Sequence, residues 1–172
     1  MKERRHGAAA KNSLGDGLQA YLALLFLRAY DASDIVGGRR GRVKDGTLEK
    51  MLGSVVERSD ADGRGAVSMP YDGRHKNIYG TAHGGAVFTL ADMAFGIGCR
   101  GAGLVCVSSQ CSISYLLPGQ CGPLRAEAEP VRLGRHLVVY DIMVYDGKGQ
   151  AIAKAVMTGY VMRTLAGGES HA

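Results

Sequence analysis

At 172 residues, 46% hydrophobic and 22% charged, the chain has the composition of an ordinary globular protein, with room for one well-filled core but not for two full domains. Its net charge of +5 is concentrated ahead of residue 46, in Lys2, Arg4, Arg5 and the cluster Arg39, Arg40, Arg42 and Lys44. With no interleaved aromatics and no nucleic-acid-binding motif, that placement excludes a nucleic-acid partner from the expectations and leaves the phosphates of a small ligand.

Residues 1–17 are polar and small. Leu18, Tyr21, Leu22, Leu25, Phe26 and Ala29 then recur at helical spacing, predicting a short amphipathic helix over residues 18–30. That stretch is shorter than the roughly 20 apolar residues of a membrane span, so no span is expected. The basic residues before it resemble a signal peptide, but Gly15, Asp16 and Gly17 intervene and no small-residue cleavage site follows Arg28, so the protein is expected in the cytoplasm. Residues 37–46 alternate glycine and like charges and read as a linker. These features divide the chain into a basic extension with a short helix (1–46), a main domain (47–164) and a flexible tail (165–172).

In the main domain, residues 52–58 and 65–69 read as short strands around the turn SDADG, followed by a loop through residues 70–76. The stretch Asn77 to Arg100 then opens from a polar, glycine-rich turn into a helical run whose apolar residues cover every side of a 3.6-residue period. A helix of that kind is expected to be wrapped by other structure. Four strands follow, over residues 104–117, 124–133, 135–145 and 150–163, with Gly134 and the sequence DGKG as tight turns. Hairpin-length connections force antiparallel pairing. The fold class is therefore α+β, an antiparallel sheet curled around one long central helix, its edges left for oligomerisation.

The four cysteines, Cys99, Cys106, Cys111 and Cys121, lack CxxC spacing and nearby histidines and read as reduced thiols; no metal site is expected. Cys106 and Cys111, five apart, are expected on opposite faces of their strand.

One charge, Asp92, interrupts the central helix. It is costly to bury unpaired, and no basic residue lies one turn away on either side, so a purely structural role would require another partner. At the helix entry, Gly84 and Gly85 let a ligand approach N–H groups that have no partner inside the helix, a setting suited to an anion or a polarised carbonyl oxygen. With the helix starting at Gly84, Asp92 lies about 12 Å further along the axis at roughly 1.5 Å per residue. Two groups that far apart cannot serve one carbonyl, so a mechanism using both needs a second, antiparallel copy of the helix, as a two-fold dimer supplies. Taken singly, His83 reads as a cap or packing residue, Asn77 as a turn former and Ser108 as a strand hydroxyl.

Together, Asn77-x5-His83-Gly84-Gly85-x6-Asp92-x-Ala94-Phe95 resembles the signature of the hotdog-fold acyl-CoA thioesterases, in their phenylacetate-pathway (PaaI-like) branch. The likeness runs from near Leu52 to Arg163 and includes Gly122-Pro123-Leu124-Arg125-Ala126-Glu127-Ala128 and the turn at Gly134 and Arg135. It implies that the Gly84 N–H holds the thioester carbonyl, that Asn77 and His83 orient that region, and that Asp92 of a partner subunit acts as general base or nucleophile. It also implies that Ser108, seven residues before Tyr115, helps hold the water. On the same resemblance Gly85 is expected to line the substrate site, and Arg132, Arg135 and Arg163 are candidates for the phosphates of coenzyme A. The resemblance implies a homodimer with shared sites, paired with a second dimer into a homotetramer, and no cofactor beyond the coenzyme A carried by the substrate. The alternatives are an acyl-CoA-binding sensor on the same fold and a hotdog enoyl-CoA hydratase or dehydratase. The basic extension has no counterpart in a minimal domain of this kind.

Overall fold

The computed structural model describes residues 48–165. The expected helix over residues 18–30, the linker over 37–46 and the tail beyond residue 165 lie outside the described residues.

The first element is a helix that the strand pattern concealed. Leu48–Leu52 forms a five-residue helix, α1, ended by Gly53 at a φ of 70°. The Gly53 and Ser54 N–H groups fold back onto the carbonyls of Lys50 and Glu49. Leu52, expected to open a strand, is therefore helical, and β1 begins three residues later at Val55–Ser59. β2 follows at Gly65–Met69 and a single 3-10 turn at Gly73–His75.

The long helix, α2, spans Gly84–Gly101 and leads into β3, Leu104–Tyr115. β4 at Leu124–Leu133, β5 at Leu137–Tyr145 and β6 at Ala151–Thr164 complete one six-stranded sheet of order β1-β2-β4-β5-β6-β3, antiparallel throughout. Asp146 shapes the β5–β6 turn by accepting the N–H groups of Lys148 and Gln150.

The sheet curls over α2 because its inward positions alternate with half-buried ones, as on β4 (Leu124, Ala126, Ala128) and β5 (Val138, Tyr140, Ile142, Val144), all fully buried. From the helix, Leu90, Ala91, Ala94 and Phe95 fill the space beneath. Burial of a side chain such as Leu90 or Phe95 contributes roughly 1.5–3 kcal/mol. The Phe95 ring meets Tyr140 edge-on, with centroids 5.3 Å apart and planes at 86°. Its tip lies over Gly159 of β6, in the space a larger residue would take. The helix backbone itself touches the first hairpin: a Cβ on Gly65 would lie 2.6 Å from the Ala94 carbonyl oxygen, and one on Gly98 2.6 Å from that of Gly63. Glycine at these two positions sets how closely helix and sheet approach.

The expectation of a wrapped helix is not met by the described residues. Gly85, Phe88 and Gly96 are exposed and Asp92 between them is half-buried, forming one stripe at helical spacing that the sheet does not reach. The apolar residues cover every side of the helix, but one curled sheet covers only part of its circumference.

Among the described residues, β3 lies at the edge of the sheet and pairs with β6 alone, and its register shifts twice, between Val105 and Cys106 and between Ser108 and Gln110. The second irregularity changes which residues face the helix. Cys106 and Cys111 consequently both pack against the core, correcting the expectation of opposite faces. Among the described residues, no helix is long and apolar enough to cross a membrane.

Candidate active site

The entry to α2 is assembled by local hydrogen bonds. Asn77 organises the turn before it: its side-chain oxygen accepts the N–H groups of Tyr79 and Thr81 at 2.9 and 3.2 Å, and its amide donates to Thr81 Oγ1 at 2.9 Å. The turn is fastened to the β3–β4 connection by Tyr71, whose hydroxyl is shared between the carbonyls of Gly80 and Gly119 at 2.7 and 3.2 Å. His75 anchors it from below. Fully buried, it links to the Leu52 carbonyl through Nε2 at 2.8 Å and takes the Asp72 N–H on Nδ1, while its carbonyl accepts the His83 N–H at 2.7 Å. Asp72 caps this 3-10 turn, and the Arg74 guanidinium beside it holds its carboxyl well below the usual carboxylate range. Sequence reasoning gave His75 and Tyr71 no role.

His83 is the N-cap of α2. Its Nδ1 accepts the Gly85 N–H at 2.9 Å, and its carbonyl accepts the Val87 N–H at 3.1 Å. Gly84 is then the first helical residue, and its N–H has no acceptor within its own helix. The helix thus starts at Gly84 as expected, with His83 as its cap. Asn77 acts on the same region through the turn and not through α2 itself.

Asp92 has a partner, and it is Ser108. The serine hydroxyl donates to Asp92 Oδ1 at 2.5 Å, a length typical of an O–H group bound to a carboxylate. Ser108 also lies 3.7 Å from Met157 Sδ across the sheet. The bond holds one carboxylate oxygen in place on the uncovered stripe of the helix and leaves Oδ2 for another proton or a water. Cys111, another residue the sequence reading did not place here, lies close by. Burial pushes its thiol up from the ordinary range and the Asp92 carboxylate adds to the effect, so it stays neutral at neutral pH.

Gly84 and Asp92 remain eight residues apart on one helix, about 12 Å at roughly 1.5 Å per residue. One chain therefore carries an electropositive helix start and a poised carboxylate that cannot meet on the same carbonyl. The three arginines sit elsewhere. Arg163 pairs with Val105 at the start of β3, and Arg132 and Arg135 flank the β4–β5 turn, which is joined to β6 through the Val161 N–H and the His136 carbonyl. All three belong to the end of the sheet where α2 finishes, opposite Gly84 in the same chain. Among the described residues, the buried Nε of Arg163 has no hydrogen-bond partner.

Comparison with known proteins places this geometry. Residues 79–153 match the model of the Thioesterase superfamily. The chain is 35% identical over 105 residues to the acyl-coenzyme A thioesterase PaaI of Escherichia coli strain K12, covering 60% of this chain and 74% of that protein. The structure of E. coli PaaI superposes with a TM-score of 0.64 at 27% identity, over 86% of this chain and 96% of the other. A hypothetical thioesterase from Streptococcus pneumoniae TIGR4, solved with coenzyme A, superposes with a TM-score of 0.62 at 32% identity, over 66% and 88%. With that likeness over a helix and sheet of the expected topology, the chain belongs to the hotdog-fold thioesterase superfamily, in its PaaI-like group.

Proposed function

We propose that the protein is an acyl-CoA thioesterase that hydrolyses an acyl- or aryl-acyl-CoA to the free acid and CoA, in a homodimer whose two sites each take residues from both chains. The observation that carries this reading is the Ser108–Asp92 pair on a helix stripe that its own sheet leaves uncovered. A second copy related by a two-fold axis covers that stripe and brings its Gly84 toward Asp92. The β3 edge supports the same arrangement. It is 12 residues long without a charged side chain, and such an edge invites another strand unless it is covered. Two such dimers stack into a homotetramer.

The thioester carbonyl binds with its oxygen at the Gly84 N–H, where the positive end of α2 and a donor its own helix does not use stabilise the oxyanion as it develops. Asp92 from the other chain either takes the proton of an attacking water on Oδ2 or attacks the carbonyl itself. Ser108 holds Oδ1 in both routes. Collapse of the tetrahedral intermediate breaks the C–S bond and releases the CoA thiolate, giving the free acid directly when water attacks, or an acyl–Asp92 anhydride that a water molecule then hydrolyses to the acid and the restored carboxylate. Gly85 borders the same entry, and Arg132, Arg135 and Arg163 supply cations for the CoA phosphates. No cofactor enters this route apart from the CoA that the substrate carries. A cytoplasmic setting accords with acyl-CoA as substrate and with cysteines that are all free thiols.

Thiol release from acyl-CoAs ranging from aryl-acetyl to long-chain, measured for the intact protein and Asp92→Asn, tests the reading. Turnover that falls by roughly a hundredfold or more in the variant is expected for a lost acid–base group. Binding of CoA esters by both proteins without hydrolysis would overturn it in favour of a sensor.

A further inference from the structure

Resting on that reading, we infer that Tyr115 is a positioning residue for the oxyanion donor. Its hydroxyl donates to the Gly84 carbonyl oxygen at 3.0 Å, and its ring lies against Gly84, 3.3 Å from where a Cβ would project.

The need for such a group follows from the two glycines. Gly84 and Gly85 have the widest torsional freedom of any residues, yet an oxyanion donor must be held to within roughly 0.5 Å and 10–20°. The donor is the N–H of the His83–Gly84 peptide. The carbonyl of that peptide accepts the Val87 N–H at 3.1 Å, and the peptide before it is tied by the His83 N–H to the His75 carbonyl at 2.7 Å. The peptide after it, between Gly84 and Gly85, is held at both ends. His83 Nδ1 takes its N–H at 2.9 Å, and its carbonyl, which also accepts the helical Phe88 N–H, is bound by Tyr115. With the peptides on either side fixed, the torsions about Gly84 are fixed and the free N–H points in one direction.

Of these restraints, only Tyr115 comes from a distant element. It stands at the end of β3, seven residues after Ser108. Two residues seven apart on a regular strand face opposite sides, and the irregularity between Ser108 and Gln110 turns both toward α2. A single strand thereby holds the helix at two places, the carboxylate through Ser108 and the donor peptide through Tyr115. Burial does not account for the tyrosine bond. Tyr115 is 54% exposed, and water could satisfy its hydroxyl.

The test compares kcat and KM of the wild-type protein and Tyr115→Phe, which keeps the ring and removes the hydroxyl, in the wild-type and Gly84→Pro backgrounds, with thermal unfolding of each. Gly84→Pro deletes the N–H that Tyr115 is inferred to aim. In the wild-type background the expected loss is about tenfold in kcat, the scale of one net hydrogen bond of roughly 1.4 kcal/mol, with KM within about twofold. In the Gly84→Pro background Tyr115→Phe is expected to cost nothing further, since its target is gone. A kcat within about twofold of wild type, a loss expressed in KM, or an equal loss in both backgrounds would each overturn the inference. Wild-type turnover separates the two ideas. If it is present and Tyr115→Phe matches it, only the positioning role fails; if wild type turns over no thioester, the thioesterase reading fails and the positioning role with it.

Discussion

Gly84→Pro separates the oxyanion site from the fold, because proline at this position replaces the donor N–H with a ring carbon while keeping the helix start. Gly84 is the first residue of α2, where proline is favoured: its missing N–H is one the helix does not use, and its fixed φ suits the first turn. Proline also restricts the residue before it to extended backbone, and His83 already sits at φ −68° and ψ 131°. The ring would press on Tyr115, whose atoms lie 3.3 Å from the position of a Cβ, but that side chain is 54% exposed and can yield by a few tenths of an ångström. Stability should therefore change by less than about 1 kcal/mol, the lost freedom of the unfolded chain offsetting the contact. Activity should fall by about 10²–10³ in kcat, the cost of deleting one oxyanion donor. Thiol release and thermal melting on the same preparation measure both. Mixing Gly84→Pro with Asp92→Asn sharpens the result. If each site takes Gly84 from one chain and Asp92 from the other, random reassortment makes half the dimers mixed, each with one intact site, and about a quarter of wild-type activity returns. A folded Gly84→Pro enzyme within about fivefold of wild type would refute the donor assignment, and no recovery on mixing after verified subunit exchange would refute the shared site.

Ser108→Ala removes the 2.5 Å bond to Asp92; because both residues reach solvent in the chain, we expect about 1 kcal/mol of lost positioning, or roughly five- to tenfold in kcat. The same change made in Asp92→Asn should add little, and a full additional loss there would show that Ser108 acts on something other than the carboxylate. Gly98→Ala drives a methyl to 2.6 Å from the Gly63 carbonyl and 2.9 Å from the Tyr140 ring, and should cost about 1–3 kcal/mol even after the helix-propensity gain, read as a lower urea midpoint at unchanged m. Stability should also fall in acid through Asp146. Burial raises its carboxyl, but the N–H groups of Lys148 and Gln150 and the Cys121 thiol outweigh that and hold it below its ordinary value of 3.8. A carboxyl lowered in the folded state contributes stability above the unfolded value and loses it as pH falls through the folded one. Wild type should therefore lose stability relative to Asp146→Asn as the pH drops below about 4, and parallel denaturation curves for the two down to about pH 2 would count against it.

Much of the site was legible before folding because its signals are local. A histidine before two glycines and an apolar run marks a helix start at any tertiary setting, since capping and the unused N–H groups are properties of the first turn. Asp92 stood out because a carboxylate in an apolar helix needs a partner, although its own helix offered none. The roles of His75 and Tyr71 were not legible, since each is defined by carbonyls of residues far along the chain. Leu52 was misread because a five-residue helix has too few turns to display a period.

What the sequence by itself determined is the order of the strands and the long helix, the antiparallel sheet forced by short connections, the start of α2 and the isolation of Asp92 from Gly84 along one helix axis. What only the tertiary structure decided is which residues of β3 face that helix. Ser108 and Tyr115 are an odd number of positions apart, as are Cys106 and Cys111, and strict alternation sends the members of each pair to opposite sides. The irregularity between Ser108 and Gln110 arises in the pairing of β3 with β6, so it is fixed by a strand some 50 residues distant and leaves no periodic mark in β3 itself. That one shift turns a hydroxyl toward Asp92 and another toward the Gly84 carbonyl.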